Sequence, residues 1–211
     1  MSRDDSFLEL LRRRTSIETF DPTRPLDEVA IRELVSDAIC TPSSFNIQHW
    51  RFVAVTDDAE KQSLCEAAYG QRQVVDAAVT FIVLGDLLGL EKLPEINKRA
   101  VECGALPEGK AQAWERLAQE IYGSAAAARD EAMRSGSLAS MTLMLAAEAR
   151  GYASGALSGF DPQRLCRSFD IDDRYLPVLL VAVGYPKATA TTRQPRLDVD
   201  EVLSFNRARR Y

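Results

Sequence analysis

The sequence predicts an α+β domain with a central sheet flanked by helices. Three observations carry this. Apolar, β-branched and aromatic runs at 50–56, 80–84 and 176–184 have the length and composition of buried strands. The stretches between them carry amphipathic or all-apolar helical patterns. No Gly/Ser-rich or Pro-rich tract divides the 211 residues, which suit one well-filled domain.

In chain order, Phe7 to Arg13 reads as a short helix with Phe7, Leu8, Leu10 and Leu11 apolar, ending in Arg12-Arg13-Arg14-Thr15-Ser16. Asp21-Pro22-Thr23 is a turn. Leu26-Asp27-Glu28 starts a helix with acids at its positive end and Ile31, Leu34, Val35, Ala38 and Ile39 on one face. A small-polar loop, Thr41 to Gln48, then runs into the first strand, Trp50 to Thr56. Asp57-Asp58 opens a helix to about Ala68, and after Tyr69 to Ala77 the run Thr80 to Leu84 is a fully buried strand. From Leu87 to about Gly123 the chain is charged and helical, broken at Pro94, Gly104, Pro107 and Gly109: a candidate lid. Its Trp114 and Tyr122 are either scaffold or substrate contacts.

Ser124 to Arg150 is a helix apolar or small on nearly every face, hence buried all round. Gly151 to Phe160 reads as a glycine-rich loop, and Asp161-Pro162 as an N-cap and first turn of a helix to about Phe169. Leu176 to Gly184 is the last strand, stopped by Gly184-Tyr185-Pro186. The tail carries Arg193-Gln194-Pro195-Arg196 and then Leu197 to Leu203.

Composition narrows the function. A net charge of −5 argues against nucleic acid as the main partner, since phosphate neutralisation needs a basic surface. Cys40, Cys65, Cys103 and Cys166 are scattered without a C-x-x-C pair, which suggests free thiols in a reducing cytoplasm rather than zinc or disulfides. The N-terminus is charged from Arg3 and lacks a signal-peptide apolar core, and no apolar run approaches a membrane span, so a soluble cytoplasmic protein is expected. His49 is the single histidine, and neither a P-loop nor a G-x-G-x-x-G after a strand is present.

The chemistry concentrates at the loop before the first strand. Hydroxyls and carboxamides there donate and accept without charge, which suits a polar planar heterocycle better than a metal or a bare anion. The order Pro42-Ser43-Ser44-x-Asn46-x-Gln48-x-Trp50 resembles the signature of the nitroreductase family, FMN-dependent enzymes that oxidise NAD(P)H; His49 stands where that family usually has proline. Arg14-Thr15-Ser16-Ile17-Glu18-Thr19-Phe20 resembles its Arg-Arg-Ser-x-Arg-x-Phe motif.

The resemblance implies a central mixed sheet between helices and a homodimer whose exchanged tails embrace the partner. It also implies FMN as cofactor, NADH or NADPH as donor and a small-molecule electron acceptor. Arg14, Thr15 and Ser16 would hold the FMN phosphate with Arg193, or Arg196 as the second choice. Pro42, Ser43, Ser44, Asn46, Gln48, Gln71 and Gln73 would hold the ring and ribityl chain. Ala156, Leu157, Ser158 and Gly159 would lie against the flavin, with the Ser158 backbone N–H addressing N5. Glu18 replaces a cation that faces the pyrimidine ring; a carboxylate there opposes charge on reduced flavin unless it is protonated, turned away or paired with an arginine. The expected reaction is ping-pong hydride transfer to nitroaromatic, quinone or related conjugated acceptors. Two alternatives stay open: the same fold specialised for enone reduction or dehalogenation, and a flavin-binding or sensing protein with little turnover.

Overall fold

The structure is a computed structural model that describes residues 3–187 and 192–208. Helices α1 (Arg3–Arg13) and α2 (Glu28–Ala38) precede strand β1 (Trp50–Val55). Helices α3 (Asp58–Ala67) and α4 (Gln73–Asp76) lead to β2 (Val79–Asp86). Then come α5 (Leu93–Glu102), α6 (Glu108–Tyr122), the long α7 (Ala125–Ala149), β3 (Ala153–Leu157), α8 (Pro162–Ser168), β4 (Tyr175–Gly184) and α9 (Val199–Val202).

The four strands form one sheet in the order β1-β2-β4-β3. Trp50 pairs with Gly85 and Leu157 with Leu180. A mixed sheet is what the resemblance implies; the four strands pair antiparallel throughout, and the parallel component is one isolated bridge between Ser16 and Ser154. β2 is buried along its whole length, which is why its sequence is continuously apolar rather than alternating.

Alternate residues of the central strands serve two cores. Phe81, Val83 and Val181 pack with Leu34 of α2 and Leu143 of α7. Ile82, Leu84 and Leu180 pack on the other face with Leu64 of α3, Val74 of α4 and Leu165 of α8. α7 approaches the sheet closely because glycine marks the contact: a Cβ on Gly85 would stand 2.7 Å from the Ala132 carbonyl oxygen. The helix starts follow their caps, with Asp27, Asp57, Ser124 and Asp161 side chains accepting first-turn N–H groups.

One expectation is corrected. Residues 153–157, read as part of a loop, form edge strand β3. Ala, Ser and Gly have weak strand preference and show no alternation, so the order comes from pairing with β4 and not from local propensity. The 87–123 stretch folds as α5 and α6, joined to the loop before β1 by a small core of Ile47, Leu93 and Ala118. Among the described residues, no helix is long and apolar enough to cross a membrane.

Candidate functional site

Chain segments 14–19, 71–73 and 154–159 meet at the β3 edge of the sheet. The Ile17 N–H donates to the Ser154 carbonyl (3.0 Å), laying Ser16 beside β3. Gly155 permits this approach: a Cβ there would collide with the Ile17 carbonyl oxygen and stand 3.3 Å from Gln73 Oε1. The tail closes over the same place, where Arg193 donates to the carbonyls of Leu11 (2.8 Å) and Arg14. Between them lies a cavity of about 440 Å³ lined by Thr15, Ser16, Glu18, Thr19, Arg193 and Arg196 among others.

Behind the walls of this cavity, next to Thr15 and Arg193, the electrostatics are unbalanced. Arg14 Nη1 is buried and has no hydrogen-bond partner among the described residues. Burial, and after it the neighbouring Arg193, push the Arg14 guanidinium below its usual value. A partly desolvated cation beside a like charge, with unused donors, fits an anion with several acceptor oxygens. Ser154 Oγ is likewise buried without a partner. Arg196 instead folds back on the tail, donating to the Gln194 (3.0 Å) and Pro195 (3.2 Å) carbonyls, so Arg193 reaches the Arg14 segment and Arg196 lines the cavity from the side. Glu18 is exposed at this cavity.

The neighbouring groups divide into holders and presenters. Gln71 Nε2 donates to the Ala68 (3.0 Å) and Gly159 (2.6 Å) carbonyls, so both of its amide hydrogens serve to fix the turn after β3. Leu157 is buried in the core and presents only backbone, whereas Ala156, Ser158 and Gly159 are exposed. Gln73, half-buried at the start of α4, lies against Gly155.

The loop before β1 is a separate construction. Phe45 (φ 50°), Asn46 (φ 57°) and Gln48 (φ 58°) all adopt the left-handed region, which non-glycine residues avoid. Ser43 Oγ accepts the Gln48 N–H (2.9 Å), and Ser44 Oγ and the Tyr122 hydroxyl are hydrogen-bonded (2.9 Å). Phe45 meets Trp114 (5.7 Å between centroids) and Tyr122 (6.2 Å) edge to face. Trp114 and Tyr122 therefore pack against the loop as scaffold. Pro42 and Asn46 are exposed, while Gln48 is half-buried and donates to the Asn46 carbonyl (3.3 Å).

The expected site residues thus fall into two groups within one chain. Arg14, Ser16, Gln71, Gln73, Ser158 and Arg193 gather at β3; Pro42, Ser43, Ser44, Asn46 and Gln48 stand at β1, on the opposite edge. β2 and β4 lie between, a separation of three strand spacings, or about 14 Å. Sequence reasoning missed Ser154 and Gly155. The glycine was visible but its partner, the Ile17 carbonyl, was not.

A sequence model of the nitroreductase family matches residues 11–185. This chain belongs to the nitroreductase family. YodC of Bacillus subtilis (strain 168), named as a candidate NAD(P)H nitroreductase, is 34% identical over 199 residues, covering 94% of this chain and 98% of its own. Among solved structures, the candidate nitroreductase ydfN of Bacillus subtilis superposes with a TM-score of 0.90 at 29% identity, over 96% of this chain and all of that one. A candidate nitroreductase from Exiguobacterium sibiricum, solved in complex with FMN, gives 0.87 at 28% identity, over 94% and 96% of the two chains. The nitroreductase-family match spans both edges of the sheet, the Arg14 segment and the loop before β1 included.

Proposed function

We propose that this chain is an FMN-dependent oxidoreductase that works as a homodimer in the cytoplasm, taking electrons from NADH or NADPH and passing them to nitroaromatic, quinone or related conjugated acceptors. The observation that carries the reading is the buried Arg14 Nη1, without a hydrogen-bond partner among the described residues, beside Arg193, a cation pair suited to a phosphate. When bound, FMN would supply the two-electron chemistry that links the nicotinamide to the acceptor. Arg14, Ser16 and Arg193 bind the phosphate. Gln73 and the backbone of 156–159 orient one side of the ring, with the Ser158 N–H as the donor at its reactive edge. Asn46, Gln48 and the backbone near Ser43 and Ser44 orient the other side. The residues at 42–48 exclude water from that face through the aromatic packing of Phe45 on Trp114 and Tyr122. The α5–α6 excursion serves as the lid and sets which acceptors fit. No protein acid is assigned; the acceptor takes its proton from solvent.

The division of the proposed site between two sheet edges supports the dimer, in which the second group comes from another copy. Surface complementarity supports it. The tail exposes Leu197, Val199, Val202, Leu203 and Phe205, the last 81% exposed. A groove of about 690 Å³ between α2 and β1 has Ile31, Val35, Ile39, Trp50 and Phe52 among its walls, with Glu28, Arg32, Ser36 and Arg51. One copy's tail is the natural occupant of the other's groove.

Anaerobic titration of the purified protein with FMN and then with each nicotinamide tests the reading. A yellow protein holding about one FMN per chain that bleaches on NADH or NADPH is expected; a colourless protein contradicts it. A second reading, flavin sensing with little turnover, draws on Glu18 at the cofactor cavity. Glu18→Arg then raises the flavin midpoint by about 30 mV, a tenfold change for a two-electron couple. An unchanged potential shows that the carboxylate points away from the ring.

A further inference from the structure

Behind the loop before β1 stands a buried ionic cluster that the proposed chemistry does not use. Asp86, at the end of β2, is fully buried, and its carboxylate accepts four hydrogen bonds. Oδ1 takes the Leu88 N–H (3.0 Å) and Arg174 Nε (2.7 Å); Oδ2 takes Arg174 Nη2 (3.1 Å) and Arg51 Nη2 (3.0 Å). The other end of Arg51 turns toward the loop. Its Nη1 donates to the carbonyls of Gln48 (2.9 Å) and Trp50 (2.7 Å).

Gln48 is one of the left-handed residues, and it cannot hold φ 58° without outside support. Its peptide is gripped on both sides: Ser43 Oγ accepts the N–H and Arg51 holds the C=O. The next side chain, His49, is wedged in the interior, with Nδ1 3.3 Å from Ser135 Oγ and its ring against Gly89, where a Cβ would stand 2.6 Å from Cδ2. Only a guanidinium can serve both ends at once, one nitrogen on the carboxylate and the other on two carbonyls; an ammonium is a single point donor.

We infer that Arg51, anchored by Asp86, is a positioning residue: it holds the Gln48 peptide left-handed so that Asn46 and Gln48 face the flavin. The inference rests on the flavin reading for what the loop faces, though not for the grip itself. Arg51 is a selective place to test it. When its side chain is shortened, Arg174 and the Leu88 N–H still satisfy Asp86, so no buried carboxylate is orphaned.

The test compares wild type, Arg51→Gln and Arg51→Lys by amide hydrogen exchange of the apoprotein and by FMN affinity of the full chain. In Arg51→Gln, exchange across 43–50 rises about tenfold or more, the loss of one charge-assisted hydrogen bond, while β2 and β4 stay protected. FMN affinity falls by a similar factor. Arg51→Lys, which can serve one acceptor but not all three, lies between the two and carries the comparison if Arg51→Gln does not fold. Unchanged exchange at 43–50, or a rise equally large in β2 and β4, overturns the inference. So does unchanged FMN affinity alongside a loosened loop. A wild-type protein that takes up no FMN sinks the flavin reading instead, and the exchange data then decide the grip alone.

Discussion

The two edges of the sheet carry the two halves of the proposed site and are built on opposite plans. At β3 the polar groups are unfinished: among the described residues Arg14 Nη1 and Ser154 Oγ find no partner, and Arg14 and Arg193 stand together as like charges. At β1 the loop is already satisfied from within, Ser43 by Gln48, Ser44 by Tyr122, and the Gln48 carbonyl by Arg51. Burying polar atoms without partners costs stability, a cost that the phosphate of the proposed site would offset. The β1 edge spends strain on a fixed shape and needs no ligand to hold it. In the proposed site, one edge binds by charge and the other presents a preformed surface.

The largest effect should come from breaking the charged edge. Arg14→Ala removes a charge-assisted contact to phosphate, and FMN affinity should fall about 100-fold, or about 3 kcal/mol, in a fluorescence titration. Retained affinity would place the phosphate elsewhere. Next, Gly155→Ala forces a methyl against the Ile17 carbonyl and should destabilise the protein by about 2 kcal/mol in denaturant unfolding, loosening the Ser16 segment with it. A neutral result would mean that residues 16–17 move aside freely.

The smallest effect belongs to the β1 edge and is read as a pH slope. Burial pushes His49 below its ordinary value of 6.5, against the opposing pull of Glu131 from α7 and Asp86 from β2, with Arg51 adding to the depression. The folded state therefore keeps His49 neutral where the unfolded chain takes up a proton. Stability from this group is full above the unfolded value and is lost as pH falls below it toward the lowered folded value. Stability should therefore fall as the pH drops below 6.5. His49→Asn should remove that slope. An identical slope in the variant would assign the acid sensitivity to other groups.

How much of this the sequence disclosed follows the same division. The helix starts at Asp27, Asp57 and Asp161 and the continuous apolar run of β2 were legible because the cause lies within a few residues. The Arg14 and Ser16 segment was legible as a motif. β3 was not, because Ala153 to Leu157 become a strand only through β4. The grip on Gln48 was not either, since Asp86 and Arg174 are far from it in sequence. Asn46 is of a type that enters the left-handed region readily, but nothing in Phe45 or Gln48 announces such a backbone, as a glycine would.

Subunit complementation tests the central claim most directly. One variant loses the charged edge (Arg14→Ala with Arg193→Ala), the other loses the loop edge (Asn46→Ala with Gln48→Ala), and the two are unfolded, mixed and refolded together. If each site takes one edge from each chain, the mixed dimer contains one intact site and regains FMN binding at about one flavin per heterodimer, which neither variant shows alone. If mixing restores nothing while both variants still dimerise, the site lies within a single chain and the account is wrong.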